Sequence, residues 1–192
     1  MAGCASAPPA SASWRPSGIV SAYAVLRPAP LRVAGSAVTA PSPDLSLPRL
    51  RLSAFADPSR PTLDALAPYD QFHGRGLEAT AEIAALVQPG PADHILDIGS
   101  GIGGPARHFA ARFGCRVSGI DLTPEFCEVA RHLSHLLGLA HKTEFHVGDA
   151  LAMPFEDASF DVVIGQEAWC HVPDKPRLIA ECARVVKRGG VI

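Results

Sequence analysis

The stretch ILDIGSGIGGPA at positions 95–106 constrains this chain more than any other. An apolar run of four or five residues breaks into glycines and then meets a proline. That is the signature of a buried strand turning tightly into a helix, with Pro105 suited to the helix's first turn. Gly99, Gly101 and Gly104 satisfy the G-x-G-x-x-G spacing, and Gly99, Gly101 and Gly103 let the backbone pass close under a ligand. Asp97 stands two residues before the first glycine, where a carboxylate would face any bound pyrophosphate.

The pattern downstream repeats the unit. HILDI, CRVSGID, TEFHVGD and FDVVIGQE read as four strands. Between them, Ala106, Phe109, Ala110 and Phe113 form one helical stripe. Phe126, Val129, Ala130, Leu133, Leu136 and Leu137 form another, with Thr123 as its cap, Pro124 in its first turn and Gly138 as its stop. Asp174 caps a last helix with Leu178, Ile179, Cys182, Val185 and Val186 as its inner face, ended by Gly189-Gly190. Upstream, Pro68 separates a short segment from GLEATAEIAALVQPG, where Leu77, Ala81, Ala84 and Val87 lie on one helical face. Alternating strands and helices imply an α/β fold with a parallel sheet and helices on both faces. Ligands of such sheets sit at the carboxyl ends of the strands. The expected site therefore comprises Asp97–Gly104, Asp121, Asp149 and Gln166–Trp169.

Composition narrows the partners. Hydrophobic residues make up 47% and charged residues 19%, and the net charge is −2, as expected of a globular domain. No apolar run reaches the roughly 18–20 residues that span a bilayer. Residues 1–60 hold half of the 18 prolines, six arginines, no lysine and only two acids, Asp44 and Asp57. They read as a disordered or spurious extension; an organelle transit segment is the alternative. The ordered domain is expected over 61–192, and its net acidity argues against nucleic acid. Five cysteines without a C-x-x-C, with Cys127 and Cys182 on apolar helical positions, suit a reducing compartment, hence a cytoplasmic placement. His132, His135, His141 and His146 do not suggest a metal site, because the helix that carries the first two is already explained by amphipathicity.

The acids choose the ligand. Asp121 follows Gly99 by 22 residues and suits the two hydroxyls of a ribose, which NAD and other adenosine ligands share. Asp149 can accept from an adenine amine. Asp97 opposes a pyrophosphate but favours a cation, so three acids at three strand ends suit S-adenosylmethionine better than a nicotinamide cofactor.

With these residues in view, ILDIGSGIGG, VSGIDLTPE, VGDALAMPFEDASFDVVIGQEAWCHV and ARVVKRGG resemble the successive motifs of class I S-adenosylmethionine-dependent methyltransferases over 94–192. YDQFHGRGLEAT at 69–80 resembles the sarcosine/dimethylglycine methyltransferase branch. The resemblance implies a Rossmann-like sheet in the order 3-2-1-4-5-7-6 and a small-molecule acceptor, with an amine favoured. It implies that Asp97, Gly99, Gly101 and Gly103 hold the methionine end, Asp121 the ribose, Leu122 and Ala150 the adenine surroundings with Asp149, and Gln166 the methionine part. Tyr69 and Gln71 match a segment that closes over the cofactor in related enzymes. Candidates for the transfer step are His171 and Glu167, with Trp169 able to meet an ammonium by cation–π contact. Against the family pattern, only residues 191–192 look like strand five. The expectation is a partial domain lacking strands five to seven, its fourth strand an open edge, unstable or inactive by itself. A non-catalytic module and a nicotinamide-dependent oxidoreductase are the competing readings, and oligomeric state is not encoded legibly.

Overall fold

In this computed structural model the described residues are 61–192, so the expectations for residues 1–60 lie outside them. Two helices, α1 (Leu63–Asp70) and α2 (Leu77–Val87), precede the sheet. There follow β1 (His94–Ile98), α3 (Gly104–Phe113), β2 (Arg116–Asp121), α4 (Pro124–Leu136), β3 (Thr143–Val147), β4 (Phe160–Ile164), a short 3-10 turn at Trp169–His171, α5 (Lys175–Val185) and β5 (Val186–Val191). The five strands are parallel in the order β3-β2-β1-β4-β5.

β1 is the hinge of this order. It pairs with β2 through Ile95↔Val117 and Asp97↔Gly119, and with β4 through Ile95↔Val162 and Asp97↔Ile164. From it the chain winds outward to β2 and β3 on one side, then crosses to β4 and β5 on the other. The side chains of β1 alternate between two cores. Ile95 packs with Ala106, Phe109, Ala110, Cys127 and Ala130 of α3 and α4. Leu96 and Ile98 pack with Leu178, Cys182 and Val185 of α5. Both faces of the sheet are thus covered, as right-handed crossovers require.

Four expectations are corrected. First, the Gly189-Gly190 pair lies within a strand and does not stop a helix. The Ala158 and Ser159 amides donate to the Arg184 and Val185 carbonyls, and this draws the end of α5 against β4. Val186 is already extended and pairs with Phe160, so β5 begins with no connecting loop, and β4 is an inner strand. The pairing is irregular between Phe160 and Val162. There Gly189 has a positive φ, and a Cβ on Gly190 would stand 2.6 Å from the Asp161 carbonyl oxygen. Second, Pro68 falls inside α1, which Thr62 caps by accepting from the Ala65 amide, and does not end a segment. Third, the buried face of α2 is rotated: Thr80 and Ala84 are buried, whereas Ala81 is exposed. Thr80 is drawn inward by polar partners described below. Fourth, Ile179 is 49% exposed, and Leu178, Glu181, Cys182 and Val185 form the inner face of α5.

The loop between β3 and β4 is fastened by α5. Arg184 donates to the Met153 and Phe155 carbonyls, Arg177 to the Leu151 carbonyl, and Glu181 accepts from the Met153 amide. This fixes the chain just past Asp149. Phe109 is fully buried beneath β1 and β2, so Phe109→Ala should cost about 3–5 kcal/mol, read as a fall in the urea midpoint with the slope unchanged.

Candidate functional site

The turn from β1 into α3 is built of backbone that only glycine adopts easily. Gly99, Gly101 and Gly103 have φ of +75°, +53° and +82°. Space enforces the same choice. A Cβ on Gly99 would stand 2.1 Å from Ala168 Cβ, and one on Gly103 would stand 2.6 Å from Phe145 Cζ. The turn is tied to β2: the Gly99 and Ser100 amides both donate to the Ile120 carbonyl, at 2.8 and 3.1 Å.

Asp121 ends β2 and reaches the same turn. Its Oδ2 accepts from the Gly101 amide at 2.9 Å and its Oδ1 from the Thr123 amide at 2.9 Å. The second bond holds the amide of Thr123, the N-cap of α4, whose hydroxyl makes no capping bond. Leu122 is 70% exposed beside it. At the end of β3, the Gly148 amide donates to the Asp121 carbonyl, which sets the Asp149 loop against β2. Asp149 is exposed and its Oδ1 accepts from the Leu151 amide at 2.8 Å; Ala150 is half-buried. The structure therefore brings Asp97, the glycine turn, Asp121, Leu122 and Asp149 to the carboxyl ends of three adjoining strands.

The loop after β4 completes the fourth side. Its close approach to Gly99 brings residues 166–169 against the turn. Gln166 Oε1 accepts from the Thr80 hydroxyl at 3.2 Å; that hydroxyl also meets Gln71 Oε1 at 2.7 Å and His73 Nε2 at 3.2 Å. This cluster explains why Thr80 is buried. Glu167 has a positive φ, and its Oε1 accepts from the Gly74 amide at 2.8 Å. That carboxylate clasps the α1–α2 loop. His171 is exposed on the 3-10 turn, and Tyr69 is 38% exposed on the last turn of α1. The indole of Trp169 lies over Gly165, where a Cβ would stand 1.8 Å from Nε1, and its ring packs on the α5 side of the core.

Four buried polar atoms here have no partner among the described residues: Asp97 Oδ2, Ser100 Oγ, Gln166 Nε2 and Trp169 Nε1. Native interiors rarely leave such groups unpaired, and these four gather at the ends of β1 and β4. Ser100 lies within the expected stretch Asp97–Gly104, but the sequence gives its hydroxyl no role of its own, because the glycine spacing around it carries the whole pattern. Asp70 and Arg107, buried under the turn, were not anticipated; an arginine beside an apolar stripe gives no hint of inward pointing. A cleft of about 910 Å³ opens elsewhere, between α1, α2 and α3, lined by residues such as Leu63, Ala67, Ala84, His108 and Phe113. It lies mostly along the outer side of α3, away from the convergent acids.

Burial, reinforced by the nearby Asp121 charge, pushes the Asp97 carboxyl up to about 7. The ordinary value of such a carboxyl is about 3.8. Between these values the folded chain keeps a proton that the unfolded chain has lost. Stability should thus fall as pH rises from about 4 to about 7 and level off above, by an amount on the order of a few kcal/mol. Asp97→Asn removes this titration, so thermal melts at pH 5 and pH 8 should differ less in the variant than in the parent chain.

The comparisons agree with this geometry. The sequence profile of the family described as "methyltransferase domain" matches residues 96–192. Tocopherol O-methyltransferase, chloroplastic, of Arabidopsis thaliana is 44% identical over 98 residues, covering 51% of this chain and 28% of that protein. Sarcosine/dimethylglycine N-methyltransferase of Halorhodospira halochloris is 35% identical over 103 residues, 54% of this chain and 37% of the relative. Among solved structures, geranyl diphosphate C-methyltransferase from Streptomyces coelicolor A3(2), in complex with Mg2+, geranyl diphosphate and S-adenosyl-L-homocysteine, superposes with a TM-score of 0.56 at 29% identity. That match covers 60% of this chain and 44% of that one. The chain thus spans less than half the length of each of these relatives. Because the family profile extends over half of the chain, from β1 to its last residues, the chain belongs to the methyltransferase domain family.

Proposed function

We propose that this chain binds S-adenosylmethionine at the carboxyl ends of β1 to β4 and serves methyl transfer to a small-molecule acceptor, with an amine as the favoured class. One observation carries the reading: a glycine turn flanked by three acids on three strand ends, with Asp97 Oδ2 and Ser100 Oγ buried beside it and without a partner among the described residues. A ligand offering a cation and hydrogen-bonding groups, without phosphate, fits that lining; a pyrophosphate does not. S-adenosylmethionine supplies a methyl carbon activated by sulfonium.

The chain's own residues then divide the work. Asp97, Gly99, Gly101 and Gly103 receive the amino-acid end, and Gln166 lies on the same side. Asp121 accepts from the ribose with its remaining lone pairs. Leu122, Asp149 and Ala150 form the adenine surroundings; the exposed Leu122 side chain supports this, since apolar surface there gains by being covered. Positioning and exclusion of water account for much of the acceleration in a transfer of this kind. His171 is the candidate for receiving an acceptor proton and stands at the mouth of the β4 loop. Glu167, engaged by Gly74, is a weaker candidate than its place in the sequence suggested. The sarcosine/dimethylglycine relative supports an amine acceptor, although its tocopherol counterpart is named for oxygen. The free, buried Cys115, Cys127 and Cys182 support a reducing compartment such as the cytoplasm.

Titration calorimetry on the 192-residue chain tests this. S-adenosylmethionine and S-adenosylhomocysteine should bind, and NAD should not. Asp121→Ala and Asp149→Ala should each weaken S-adenosylhomocysteine about tenfold, equivalent to about 1.4 kcal/mol. Binding of NAD alone would replace this proposal with an oxidoreductase, and binding of neither would leave a non-catalytic module.

A further inference from the structure

Beneath the glycine turn lies an ion pair that the proposed chemistry does not use. Arg107, in the first turns of α3, and Asp70, the last residue of α1, have side chains 0% and 3% exposed and meet at 2.8 Å through Arg107 Nη2 and Asp70 Oδ2. Arg107 Nη1 donates to the Ile102 carbonyl of the turn at 2.7 Å and to the Ala130 carbonyl of α4 at 3.4 Å. The packing is close on every side. A Cβ on Gly103 would stand 2.8 Å from Nη1, and one on Gly104 would stand 2.1 Å from the Asp70 carbonyl oxygen.

Such a pair is poorly explained by stability. Burying both charges carries a desolvation cost that an apolar pair of equal volume would avoid. Here the cost is compounded, because Arg107 Nε and Asp70 Oδ1 have no partner among the described residues. What the pair does supply is a fixed link between two places. One is Ile102, in the turn after β1. The other is the chain that follows Asp70. There Phe72 approaches Gly101, Gln71 joins Thr80 and through it Gln166, and Gly74 donates to Glu167. The link starts on the loop after β1 and ends on the loop after β4, so it brackets the crevice between the two strands.

We propose that Arg107, paired with Asp70, is a positioning residue for ligand binding: it holds the Ile102 carbonyl and so the shape of the glycine turn, and it makes that shape depend on the docking of segment 69–76. The ligand half of this statement rests on the S-adenosylmethionine reading; the structural half does not. Lysine keeps the charge but, as a single point donor, cannot hold Asp70 and the Ile102 carbonyl together in the fork that arginine makes.

Two measurements on the full chain separate the possibilities. In the ligand-free chain, amide hydrogen exchange at residues 99–104 should speed up at least tenfold in Arg107→Lys and in Asp70→Asn. The double variant should be no faster than Arg107→Lys alone, because both changes break one link. Phe109→Leu, a packing change on the same helix, controls for general loosening and should leave that segment within about twofold once matched for melting temperature. In calorimetry, S-adenosylhomocysteine should bind at least tenfold more weakly to Arg107→Lys and Asp70→Asn than to the parent, and within twofold to Phe109→Leu. The proposal is overturned if folded Asp70→Asn keeps parental exchange at 99–104, or if Phe109→Leu accelerates that segment equally. Should the parent chain bind no S-adenosylhomocysteine, the ligand reading fails, while the exchange result still decides whether Arg107 sets the turn.

Discussion

The structure depends on β1 being hydrogen-bonded on both edges. A strand with parallel neighbours on each side and helices over each face has no solvent-facing direction except its ends, and Ile95 and Leu96 are accordingly fully buried. Because the chain leaves β1 toward β2 and returns to its other edge as β4, the loops from these two strands diverge at their carboxyl ends and open a crevice there. The glycine turn, the Asp121 contact and the residues after β4 are all consequences of that divergence.

Within the crevice, Asp97 and Asp121 are held in opposite ways. Asp97 is 1% exposed and has one oxygen without a partner among the described residues, whereas neighbouring Asp121 places each of its oxygens on a loop amide. The result is a site whose electrostatics are set before any ligand arrives. A group forced toward its neutral form by burial is restored to its charged form by an incoming cation, so recognition of charge and recovery of an unfavourable burial become the same event.

Much of this was legible in the sequence. The strand–glycine–helix break at 95–106, the periodicity of α3 and α4, and the acids at the strand ends follow from local chemistry, since a tight turn needs glycine wherever it falls and a buried strand needs apolar residues on both faces. What escaped was set by contacts distant in sequence. Thr80 turns inward because Gln71, His73 and Gln166 meet it, and no helical period can announce that. Arg107 points into the core because Asp70, 37 residues earlier, waits there. Gly189-Gly190 carries the ordinary signal of a helix end, yet the pairing of Val186 with Phe160 had already ended the helix three residues before. Glu167 looked free to act and instead holds Gly74.

The direct passage from α5 into β5 has an implication for how the sheet edge is positioned. With no connecting residue, the rotational phase of the helix dictates which face of the strand each following side chain takes, so helix and strand form one mechanical part. Elsewhere in the fold, a loop absorbs any mismatch between a helix of 3.6 residues per turn and a strand of period two. Here the slack has to be stored inside the strand, and the irregular pairing between Phe160 and Val162, with Gly190 against Asp161 and Gly189 at a positive φ beside it, is where it is stored. The two glycines act as an expansion joint that lets a rigid helix set the start of a strand and still brings Val191 into register with Val162.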